Sequence, residues 1–104
     1  MDGQVHLWGT RMFSIVDNDA CTLYLQFVDD QVAVYGDVRY FNKTTYKDTK
    51  AKWEDTLEAL RQEGYPCIFS QLKKTQTNMI EFERKQGFEI VLQTSTDYVL
   101  VKEL

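Results

Sequence analysis

The side chains in this sequence that could do chemistry are few, and their spacing argues against most of it. His6, the only histidine, sits between Val5 and Leu7 near the N-terminus. An imidazole can act as a general base, but one flanked by apolar residues reads better as structural or simply exposed. Cys21 and Cys67 are far apart, form no CxxC spacing and have no histidine beside them. They are expected as reduced thiols of a cytoplasmic protein rather than as a nucleophile, and a disulfide between them would require adjacent strands. Asp17-Asn18-Asp19 opens like a calcium loop but lacks the glycine and the closing glutamate, so a turn is expected. No His, Cys and carboxylate grouping has metal-ligand spacing, and no metal is expected.

Charge and length narrow the classes further. The 104 residues suit one domain, expected to span 1–104, and 43% hydrophobic with 27% charged residues is a globular rather than a disordered balance. The formal net charge of -4 disfavours nonspecific binding to nucleic acid or anionic membrane. Lys43, Lys47, Lys50 and Lys52 form one basic stretch, and Lys73 with Lys74 another, but acidic residues follow each, as on a solvated face. No apolar run reaches the ~20 residues of a membrane span.

The elements that must position these residues change period along the chain. The first half reads as strands: Val5–Trp8, Met12–Val16, Thr22–Val28, then Val32–Tyr35 and Val38–Phe41 on either side of Gly36, where a glycine marks a bulge or a close backbone approach. Trp8, Tyr24, Tyr35 and Tyr40 are aromatic residues that serve either a core or an interface. From Asp48 to Glu63 the apolar residues Trp53, Leu57 and Leu60 recur at i, i+4, i+7, which predicts a helix stopped by Gly64 and Pro66. Cys67–Ser70 reads as a buried strand. Residues 76–86 read as a second helix capped by Thr75 or Thr77 and ended by Gly87. Phe88–Gln93 and Tyr98–Val101 close the chain as strands. The expected fold class is α+β, a mixed, largely antiparallel sheet flanked by two main helices, with Trp53, Leu57, Leu60, Phe69, Phe82 and Phe88 in its core.

The stretch Gln76-Thr77-Asn78-Met79-Ile80-Glu81-Phe82-Glu83-Arg84-Lys85-Gln86-Gly87-Phe88 resembles a helix of the GNAT acetyltransferase superfamily, in which Lys-x-Gly-Phe opens the final strand pair. The element order of the last two thirds of the chain is also similar to that family's. The resemblance implies a GNAT-like sheet, with acyl-CoA held at the N-terminus of the first main helix. The residues that would hold it are Lys43, Thr44, Thr45, Lys47, Gln76 and Asn78. The departures carry equal weight. The family's glycine-rich pyrophosphate loop is replaced by Phe41-Asn42-Lys43-Thr44-Thr45-Tyr46-Lys47-Asp48, which has no glycine to let the backbone approach a phosphate. The family's tyrosine acid aligns with Glu83, a carboxylate with a reference pKa of about 4.3, which would not protonate a leaving thiolate at neutral pH without a large upward shift.

Two independent requirements for acetyl transfer are therefore missing. The sequence points to a noncatalytic GNAT-like protein-interaction domain without a cofactor. Small proteins of this kind occur in phage, as virion components or as binders of host factors, acting in the host cytoplasm or the virion. The alternative is a small N-acetyltransferase that uses acetyl-CoA through an atypical loop.

Overall fold

The computed structural model describes residues 4–7 and 10–104, with side chains from Met12 onward. Trp8 and the side chain of His6 lie outside the described residues. The chain runs β1 (Gln4–Leu7), β2 (Thr10–Asp17), β3 (Cys21–Val28), β4 (Gln31–Val38), α1 (Lys43–Gln62), β5 (Cys67–Lys73), α2 (Thr77–Lys85), β6 (Glu89–Gln93) and β7 (Asp97–Glu103). The strands form one sheet in the order β1-β2-β3-β4-β5-β7-β6. All neighbours are antiparallel except β4 and β5, which are parallel and joined through α1.

Strand periodicity sorts the sheet into two unlike faces. Leu23 and Leu25 of β3, Val32 and Val34 of β4, Ile68 and Leu72 of β5 and Leu100 of β7 are buried. Both helices cover that same face. α1 contributes Trp53, Leu57 and Leu60, and α2 contributes Met79 and Phe82. Trp53 is the hub, with ring centroids 5.9 Å from Phe82 and 6.0 Å from Phe88. Each large apolar side chain buried in this way contributes about 1.5–3 kcal/mol.

Four expectations need correction. Helix α1 begins at Lys43, five residues before the expected start, because Asn42 caps it there. β4 passes through Gly36 without a break. Gly36 has φ +130°, and a Cβ would lie 1.8 Å from the carbonyl oxygen of Thr22 on β3, so of the two expected readings of this glycine the close backbone approach holds and the bulge does not. The cap residue of α2 is Gln76, not Thr75 or Thr77, and its side chain does not cap the helix. Phe69 is only half-buried. It alternates with Ile68 and Ser70 and so falls on the face that carries no helix. The turn at Asp17-Asn18-Asp19 forms as expected, with Asn18 Oδ1 accepting the backbone N–H groups of Ala20 and Cys21. Cys21 and Cys67 are free thiols, on strands separated by β4. Among the described residues no helix is long and apolar enough to cross a membrane.

Candidate functional site

The parallel pair at the centre of the sheet is where its chain path changes direction, and in open α/β sheets ligands settle outside the carboxyl ends of such strands. β4 and β5 pair only at Ala33–Phe69 and Val34–Ser70. Past those residues β4 runs on to Val38 and β5 to Lys73 without further pairing. The side chain of Gln76 bridges the two unpaired ends. Its Nε2 donates to the carbonyl of Gly36 at 3.1 Å and to Asp37 Oδ1 at 3.3 Å, while its Oε1 accepts the N–H of Lys73 at 3.1 Å. The amide behaves as a one-residue strand inserted between them. Two residues on, Asn78 Nδ2 donates to the carbonyl of Arg39 at 2.9 Å and ties the start of α2 to the segment after β4.

The N-terminus of α1 is closed in a similar way. Asn42 Oδ1 accepts the N–H groups of Thr44 at 3.0 Å and Thr45 at 3.4 Å, and Thr45 Oγ1 donates back to the Asn42 carbonyl at 3.3 Å. A capping oxygen takes up donors that a helix start otherwise offers to an anion. Lys43, Thr44 and Lys47 are exposed and Thr45 is half-buried. The cavity beneath this turn, lined by Asn42, Thr45 and Tyr46 among others, holds about 10 Å³, room for one water at most.

Glu83 is the largest departure from the sequence reading. Its side chain is fully buried, pointing from α2 into the core face. Ser70 Oγ of β5 donates to its Oε2 at 2.7 Å, and its Oε1 has no partner. Burial pushes the carboxyl up to about 8, against the smaller opposing effect of the Ser70 hydrogen bond. Glu83 is thus neutral at pH 7, by the large upward shift that a carboxylate in this position would need to act as an acid. A neutral acid near pH 7 is chemically fit to donate a proton, but neither Glu83 nor Ser70 is open to solvent. The other core-facing thiol or acid of interest, Cys21, is pushed up to about 11 by burial, with Arg39 opposing, and stays protonated.

The sequence-derived site residues therefore do not converge. Gln76 and Asn78 work at the β4–β5 junction, Lys43, Thr44, Thr45 and Lys47 lie on or beside the α1 cap, and Glu83 is sealed in the core. Ser70 was not foreseen. Its only signal is a hydroxyl at the end of the apolar run Cys67-Ile68-Phe69. A concavity of about 570 Å³ lies between α1 and strands β2 and β3. Phe13, Leu25, Phe27 and Tyr65 line it, and Glu63 is its one ionisable carboxylate, so it offers no paired groups for acid–base work. No grouping of described residues could hold a metal ion. No protein-family model matches the chain, and no curated protein matches it.

Proposed function

We propose that this chain is a GNAT-like domain that binds protein and does not transfer acyl groups. The element order from β4 onward, helix, strand, helix and an antiparallel strand pair, supports the GNAT-like reading. The observation that carries the noncatalytic reading is the internal use of the polar groups that acyl-CoA would need. The first N–H groups of α1 are taken by Asn42, and the unpaired ends of β4 and β5 are taken by Gln76. A pyrophosphate would have to displace a capping side chain from a helix start with no glycine, at a cost of about 1 kcal/mol before any gain.

Isothermal titration with acetyl-CoA tests the proposal. No saturable heat is expected at millimolar ligand. A dissociation constant near 1 µM, about -8 kcal/mol, overturns it in favour of the acyltransferase reading. Glu83→Gln would then be assayed for turnover, since burial keeps the Glu83 carboxyl protonated near pH 7.

A further inference from the structure

β6 is the outer strand of the sheet and pairs on one side only, with β7. Alternate N–H and C=O groups of its backbone therefore face away from the sheet with no strand to meet them. Edges are commonly blunted by lysine or proline, and β6, Glu89-Ile90-Val91-Leu92-Gln93, has neither. It does have a bulge, and the bulge re-aims side chains. Glu89 stands beside Val101 and Leu92 beside Val99, so both turn to the helix-free face although they are an odd number of residues apart. Val91 lies with Glu89 and Val101 around one concavity. Two successive apolar side chains, Val91 and Leu92, are thus presented at the edge, 58% and 61% exposed.

The concavity beside them holds about 300 Å³ and is lined by Gly87, Glu89, Val91, Val101 and Glu103. Glu89 and Glu103 are exposed, and among the described residues neither carboxylate has an ion-pair partner. Lys102, between Val101 and Glu103 in sequence, alternates to the other face. There it lines a second concavity with Glu54 and Glu58, and its ammonium comes up beside Gly87 at the end of α2, where helix carbonyls favour a cation. The notch at the sheet edge is therefore apolar in its walls and negative at its rim.

We infer that β6 receives an extended segment of a partner protein as an added strand, with a lysine or arginine of that segment seated between Glu89 and Glu103. This rests on the interaction-domain reading above and names the kind of partner. In strand addition the main chain supplies affinity and pockets for alternate side chains supply selectivity. Here apolar residues of the segment cover Val91 and Leu92, and the notch selects the cation. A second copy of this chain pairing edge to edge fits less well, because the only charge on β6 is Glu89 and it brings no cation to the notch.

Fluorescence anisotropy of a short labelled peptide, alternating valine and threonine around a central lysine, tests this against the full chain. Saturable binding is expected. It should be about tenfold weaker with glutamate at the centre, and lost when alternate peptide nitrogens are methylated. Glu89, Leu92 and Glu103 are exposed, so substituting them keeps the fold, as unchanged circular dichroism should show. In the Glu89→Lys, Glu103→Lys double variant the preference should invert, and Leu92→Lys should weaken both peptides. Amide exchange should slow in β6 when the lysine peptide binds. Lysine and glutamate peptides that bind alike, a methylated peptide that binds as well as its parent, or no binding at millimolar peptide overturns the inference. A chain that self-associates until Leu92→Lys is introduced gives the edge to a second copy and overturns it too. Peptides that fail to bind leave the noncatalytic reading in place, since acetyl-CoA is titrated separately.

Discussion

Glu83 puts a carboxyl group where water cannot reach it, and the consequence is a pH dependence with a definite sign. Its value rises from 4.5 to about 8 on folding. Between those values the folded chain holds a proton that the unfolded chain has released. Stability from this group is therefore fully present below 4.5, falls by up to about 1.4 kcal/mol per pH unit as pH rises towards 8, and levels off beyond. Glu83→Gln keeps an acceptor for Ser70 and removes the titration. Urea denaturation of the two proteins across that window should show a falling stability for the wild type and a flatter one for the variant. Parallel curves would mean that the carboxyl is not held neutral in the fold. Met79, Phe82 and Glu83 stand at i, i+3, i+4, so the sequence carried a signal for a buried Glu83, although only Met79 and Phe82 were expected on that face. What it lacked was Ser70, whose partnership depends on α2 lying over β5.

At the scale of elements, Gly36 holds the β3–β4 pair together. It faces Leu23 in the ladder, and any Cβ there meets the Thr22 backbone at 1.8 Å. Gly36→Ala is expected to cost on the order of 4 kcal/mol or more, because backbone cannot move aside as a flexible side chain can. A melting temperature within a few degrees of the wild type, roughly the shift produced by 1 kcal/mol, would contradict the close approach. The sequence offered a bulge or a close backbone approach at this glycine, and the second holds. The two look alike until the neighbouring strand is in place. The start of α1 was misjudged for a related reason. Lys43-Thr44-Thr45 is a weak helix former by propensity, and the apolar repeat begins only at Trp53, but Asn42 accepts two N–H groups and extends the helix back to Lys43.

At the scale of the whole molecule, one core joins both helices to one side of the sheet. Leu60, 4% exposed near the end of α1, belongs to it. Leu60→Ala should destabilise the protein by about 2–5 kcal/mol, combining lost burial with the cavity left behind. Because the core is continuous, chemical denaturation followed by fluorescence and by circular dichroism should remain a single shared transition. An unchanged denaturation midpoint would remove Leu60 from the core.

The sequence by itself determined the order and type of the elements, the buried stripe of α1 and the glycine that ends each helix, because hydrophobic period and backbone conformation are local properties. It also determined that no grouping of ligands or nucleophiles lies close along the chain. Tertiary structure decided the rest. Phe69 lies on the bare face because strand register, not hydrophobicity, sets which way a side chain points. Gln76 bridges β4 and β5 because a helix start forty residues further along the chain lands on a gap in the sheet. Glu83 is neutral because burial raises the energy of a charge that the same residue would carry freely in water.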